Sequence, residues 1–174
     1  MHRALLLLVT SLVAAPAATA QDAVHADYFR SVARYFSLPP GEVSILADWE
    51  IEPDEVPVVL FVARRSGVSP EAVVALRDSG QSWVALTARF RVSPSALHVP
   101  IRDDAPAGAL AAAYDRFRST PVSGWGTLRL DDGEIIGLVN VRVISQVLGL
   151  SAEHVAAASG SSATYVQLHA QLRR

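Results

Sequence analysis

This chain repeats itself, and that constrains its fold more than any other feature. Displaced by 82 positions it aligns on itself without a gap: Val59 falls on Val141, Gly67 on Gly149, Ser69 on Ser151 and Val73 on Val155. The same register sets Ala75 on Ala157, Leu86 on Leu168, Ala88 on Ala170 and Arg91 on Arg173, with Ser82 on Thr164 and Trp83 on Tyr165 as conservative pairs. A displacement of 30 matches Val32, Ala33 and Arg34 to Val62, Ala63 and Arg64, then Pro40 to Pro70, Val43 to Val73 and Leu46 to Leu76, as a more degenerate first copy. A segment recurring at such spacing is a supersecondary unit that cannot bury its apolar face alone, so the copies must pack on one another.

The unit reads as three helices. In the middle copy the first runs from Glu55 to Arg65, apolar on most sides and so buried, with Asp54 as its N-cap and Pro57 in the first turn, where a missing N–H costs little. Gly67 closes it in the left-handed region and Val68 packs back across the turn. Ser69 caps the second helix ahead of Pro70, and Gly80 ends it. Ser82 caps the third, where Trp83, Leu86, Thr87 and Phe90 share a face; the same Ser-Pro start recurs at Ser93 and Pro94.

Residues 99–130 interrupt this pattern with Pro100, Pro106, Gly108, Pro121, Gly124 and Gly126. Ala107 to Arg118 is Ala-rich with Leu110, Tyr114 and Phe117 near helical spacing, and the remainder to Arg129 reads as loop. Asp131 with Glu134 three residues on is a capping box for a helix reaching Val147. The one strand signal is a weak alternation over Thr127 to Leu130. The expected fold is all-α, a compact bundle of roughly eight or nine short helices from a three-helix unit repeated about three times.

The chain opens Met1, His2, Arg3, runs through Leu5 to Leu8 and reaches Ala18-Thr19-Ala20. One cation, an apolar stretch of about 12 residues and a small-x-small ending read as a secretory signal peptide over 1–20, cleaved before Gln21; a membrane span needs about 20 apolar residues. The mature part is then a single helical-repeat domain over 21–174. Without cysteine it has no disulfide, no thiol nucleophile and no thiolate metal site. Its 17 acidic residues outnumber the arginines, which are 15 less Arg3, and lysine is absent. That balance argues against a polyanionic partner or nucleic acid.

The segments "SPEAVVALRDSGQSWVAL" (Ser69 to Leu86) and "GLVNVRVISQVLGLSAEHV" (Gly137 to Val155) together resemble a group of exported bacterial proteins of unknown function, which implies a helical fold and no particular activity. The resemblance runs from about Val56 to Leu172; where that group carries a Gly-Pro-Pro-Tyr-Gly type run, this chain has Ala105, Pro106, Ala107 and Gly108. "GQSWVALTARFRVSPSAL" (Gly80 to Leu97) also resembles the helical half of a LysM module, which implies binding of N-acetylglucosamine glycans such as peptidoglycan and requires a strand on each side. The same stretch is similar to a helix-turn-helix, but Ser95, Ala96, Leu97 and His98 offer little to base edges or phosphates.

Residues able to carry chemistry are few. Asp48, Glu50, Glu52, Asp54 and Glu55 form one dense carboxylate run, of the oxygen-ligand type that Ca²⁺ takes, yet without the Gly and Glu spacing of an EF-hand; a solvated turn entering a helix explains it as well. His25, His98, His154 and His169 are scattered without metal-ligand spacing. Ser93, His98 and Asp103 have the types but not the demonstrated geometry of a nucleophilic triad. Trp83 and Tyr165 share a repeat position, either as exposed platforms for a sugar ring or peptide or, as is commoner for an aromatic in a Leu86–Phe90 stripe, as core. The expectation is an exported, periplasmic or extracellular, non-catalytic protein that needs no cofactor and presents a surface to another macromolecule, protein or cell-wall glycan; the alternatives are peptidoglycan binding through 80–97 and an enzyme with an unrecognised site.

Overall fold

Ser69, Ser82, Ser151 and Thr164 each cap the start of a helix, and left-handed residues at Ser37, Gly67 and Gly149 end others. The computed structural model describes residues 17–39, 41–42, 45 and 48–174, with side chains from Gln21 onward, and every regular element among them is helical. In chain order these are α1 (Ala17–Phe36), α2 (Val56–Ser66), α3 (Pro70–Asp78), α4 (Trp83–Arg89), α5 (Pro94–Leu97), α6 (Ala111–Ser119), α7 (Asp132–Leu148), α8 (Ala152–Ser159) and α9 (Tyr165–Leu172), with 3₁₀ turns at Pro53–Glu55, Gly108–Leu110 and Val122–Thr127. The fold is an all-α bundle.

The repeat is visible in the caps. Ser69 Oγ accepts the Ala72 N–H at 3.3 Å, and its equivalent Ser151 Oγ accepts the His154 N–H at 3.2 Å. Ser82 and Thr164 likewise accept the Ala85 and Gln167 N–H groups, each at 3.1 Å. The first helix of each copy ends in the same left-handed turn, at Ser37 (φ 54°), Gly67 (φ 74°) and Gly149 (φ 66°). For the first copy only α1 and this turn can be compared; the Pro40, Val43 and Leu46 matches fall on positions outside the described residues.

The first helices of the second and third copies, α2 and α7, pack against each other, and α1 crosses α7 and α9. Eight consecutive residues of α2, Val56 to Ala63, are buried, because this helix is enclosed by neighbours on all sides. In α7 the side chains of Ile135, Leu138, Val141 and Ile144 are at most 2 % exposed; burying each contributes about 1.5–3 kcal/mol. One core runs from Tyr28 of α1 to Leu168 of α9 and takes in the interrupting segment through Leu110, Tyr114 and Phe117.

That segment is therefore more ordered than a loop. Its helix starts as a 3₁₀ turn at Gly108 and becomes α-helical at Ala111. Tyr114 Oη donates to the Val99 carbonyl at 2.6 Å, and Trp125 Nε1 donates to the Phe117 and Thr120 carbonyls at 3.0 and 2.9 Å. Thr127 to Leu130 forms no strand: Leu128 is extended (φ −60°, ψ 148°), but there is no strand among the described residues for it to pair with.

The expectation that Asp54 caps its own helix is corrected. A 3₁₀ turn precedes α2, no side chain caps it, and the Asp54 carboxylate reaches another copy of the unit. The capping box at Asp131 is present: Asp131 Oδ1 accepts the Glu134 N–H at 2.8 Å and Glu134 Oε2 accepts the Asp131 N–H at 2.9 Å. Of the signal peptide expected over 1–20, residues 1–16 lie outside the described residues; α1 runs through the Ala20–Gln21 junction. No described helix is long and apolar enough to cross a membrane.

Candidate binding groove

An open cavity of about 620 Å³ lies between the α4–α5 corner and the stretch from Gly126, at the end of the third 3₁₀ turn, to Leu130. Local chemistry shapes both walls. On one side α4 is set by the Ser82 cap and by the Val84 N–H, which donates to Asp132 Oδ1 at 2.9 Å. Past the helix end Arg91 turns the chain with a left-handed φ of 56°, and the Val92 N–H closes the turn on the Thr87 carbonyl at 2.8 Å. Arg142 of α7 then holds α5, donating to the Ala96, Leu97 and His98 carbonyls at 3.1, 3.0 and 2.7 Å, as a cation satisfies a helix C-terminus.

Gly126 to Leu130 forms the other wall, and Leu97, Leu130 and Ile135 close the floor. Val84 stands at the rim with 44 % of its surface exposed, one of the few large apolar side chains left open to water. The charged residues of the groove are two arginines, Arg91 and Arg129, beside the hydroxyls of Thr87, Ser93 and Thr127, with no carboxylate and no aromatic ring among the lining residues. Neither arginine makes an ion pair or side-chain hydrogen bond among the described residues.

The carboxylate run does not converge. Asp48 and Glu50 are exposed and flank a shallow cleft beside Trp49, and Glu52 is exposed. Glu55 is buried and clasped by Arg77, whose Nε and Nη2 donate to its two oxygens at 2.9 and 2.7 Å; that clasp, ahead of the cost of burial, raises the Arg77 pKa further. Asp54 accepts the Tyr165 and Val166 N–H groups at 2.8 and 3.0 Å, and burial pushes its carboxyl above the usual range against the pull of those bonds. Among the described residues no three His, Asp or Glu side chains gather as a metal site.

Trp83 is 0 % exposed, with the Arg77 guanidinium 5.5 Å over its ring, so it offers no platform to a ligand. Its partner in the repeat, Tyr165, is half-buried on the edge of a smaller cleft, and burial pushes its phenol up to about 12. Ser93, His98 and Asp103 do not form a triad. Ser93 Oγ bonds Ser95 Oγ at 2.8 Å, the His98 ring packs on Trp125 at 4.2 Å and Asp103 is exposed. The LysM-like segment is α4, a turn and α5, following helix α3 and preceding an irregular stretch; the flanking strands that module requires are absent among the described residues.

Sequence reasoning missed two features. One is the groove wall, since Arg129 and Leu128 sit in a stretch read as loop and only the weak Thr127–Leu130 alternation marks it. The other is a buried pair, His169 Nε2 and Ser31 Oγ at 2.9 Å, from residues 138 positions apart. Both are 1 % exposed, with the His169 ring edge-on to Tyr28, so no substrate reaches this serine. Tyr28 in turn donates to Asn140, whose Nδ2 donates to the Asp54 and Ile136 carbonyls at 2.8 and 2.9 Å. This polar thread ties α1, α7 and α9 together.

Compared with known proteins, the chain matches no family model, no curated protein and no solved structure.

Proposed function

We propose that this protein is an exported, non-catalytic helical-repeat module that uses the groove between α4–α5 and Gly126–Leu130 to hold another macromolecule. The groove carries this reading: it combines an open volume of about 620 Å³, an apolar floor and two arginines that make no ion pair among the described residues. Asp54 and Glu55 are engaged in holding the fold, and Ser31 and His169 are enclosed. A binding site on a rigid scaffold leaves some apolar surface unfilled, and Val84 and the floor beneath it do so here.

The test is nuclear magnetic resonance shift mapping on the ¹⁵N-labelled chain, titrated in turn with pooled peptides, soluble peptidoglycan fragments and oligonucleotides. The expected result is that one class shifts the Val84, Arg91, Leu128 and Leu130 amides and is recovered chemically unchanged. Conversion of the added molecule, or shifts confined to the cleft beside Asp54 and Tyr165, overturns the reading.

A further inference from the structure

We infer that the occupant of this groove is an extended peptide segment of another protein that carries a carboxylate; the inference rests on the binding reading above and names its partner. Three observations carry it.

The first is the main chain of the wall. Leu128 is extended, and the Arg129 and Leu130 N–H groups make no hydrogen bond among the described residues, although Leu130 is itself 8 % exposed. Successive N–H groups of extended backbone point to opposite sides, so one of the two is available to a second extended backbone, which supplies the acceptor it lacks beside the apolar floor. An acyl chain with a carboxylate head satisfies the floor and the cations but leaves that donor unpaired.

The second is charge. Arg91 and Arg129 line the groove with no carboxylate among the other lining residues, in a chain whose acidic residues outnumber its basic ones. An acidic side chain or a C-terminal carboxylate complements this charge, and a guanidinium offers it a bidentate fork.

The third is the absence of any aromatic ring among the lining residues. Sugar rings and nucleobases are gripped by stacking on aromatic faces, whereas alternating side chains of an extended peptide need only apolar pockets such as that between Val84 and Ile135.

The experiment pans a phage-displayed library of random dodecapeptides on the full chain, with an Ala88→Trp variant that fills the groove as counter-selection. The recovered peptides are synthesised and their affinities measured. Peptides in which Asp or Glu is flanked by apolar residues are expected, bound at least about tenfold more weakly by the Arg91→Ser/Arg129→Ser double variant and by peptides N-methylated next to the acidic residue. Unchanged spectra and urea midpoints of the variants show that folding is retained. Recovery of no peptide, of peptides without an acidic residue, or of peptides indifferent to the arginine change overturns the inference. If dodecanoate or chito-oligosaccharide shifts the groove amides where the peptides do not, the peptide inference fails and the binding reading stands; if none of these probes shifts them, both fail.

Discussion

The Asp54 carboxylate accepts the Val166 N–H at 3.0 Å from 112 positions away, and Asp132 does the same for Val84, the repeat equivalent of Val166, at 2.9 Å. The acid at the entrance of each copy's first helix thus caps the third helix of the other copy, and the two units are interleaved. The Arg77 guanidinium lies between Glu55, at 2.7 Å, and Asp132, at 3.8 Å, and so spans the same junction.

Removing either acid therefore loosens a helix of the opposite copy. Asp54→Ala is expected to lower stability by about 1–2 kcal/mol, at the high end for a cap because two amides lose their acceptor together. Asp132→Ala, serving one amide, should cost less. Urea melts of both variants measure this, and an Asp54→Ala midpoint equal to wild type contradicts the interleaved capping.

Trp83 fills the core between α3, α4 and α7 with its Nε1 unpartnered. Trp83→Ala should cost about 3–5 kcal/mol, whereas Trp83→Phe should cost less than about 1.5 kcal/mol, because losing an unsatisfied buried N–H offsets part of the lost volume. Denaturant melts of the two variants give the ordering; equal losses contradict it.

Two left-handed positions should respond in opposite directions. At Gly108 (φ 53°) a Cβ would run into the Ala156 carbonyl and come 2.8 Å from Ser159 Oγ, so Gly108→Ala should destabilise by more than about 1 kcal/mol. Arg91 (φ 56°) carries a side chain where glycine is preferred, and Arg91→Gly should gain about 0.5–1 kcal/mol while weakening the groove. Thermal melts of the pair check both signs.

Acid should weaken the fold through its histidines. Burial, and then the nearby charges of Arg34 and Arg142, hold His169 and His98 respectively below the ordinary histidine value. The unfolded chain takes up these protons near pH 6.5 and the folded chain only at lower pH, so this stability is fully present above about 6.5 and is lost as the pH falls towards the folded-state values. The urea midpoint should drop between about pH 7.5 and 5.5, and His169→Phe should flatten that slope. Asp54, pushed up by burial, acts in the opposite direction, so variant and wild type are compared at each pH. Equal slopes for the two exclude His169 as a source.

Export with cleavage before Gln21 should leave the fold intact. Cleavage removes Ala17 to Ala20 from α1, and the first fully enclosed side chain beyond is Tyr28. Intact mass of the exported protein should begin at Gln21, and a chain starting there should keep the urea midpoint of the longer one. Retention of residues 1–20 in the exported protein contradicts the cleavage.

Local signals made much of this fold legible. Ser69, Ser82, Ser151 and Thr164 precede their helices by short-range hydrogen bonds, and Gly67 and Gly149 end theirs because a left-handed turn needs no Cβ there; both effects act within about four residues, which a linear pattern records. The match at a displacement of 82 positions likewise showed that two units had to share a core. What no local pattern contains is which copy's acid meets which copy's amides. Asp54 could be read only as the cap of the helix next to it, since the advantage of reaching Val166 exists only once α2 and α9 are packed. Tertiary structure alone also joined Ser31 to His169, sank Trp83 completely and brought Arg129 to the same groove as Arg91, because such placements depend on how segments distant in sequence pack, and burial is a property of the whole packed surface rather than of any one helix.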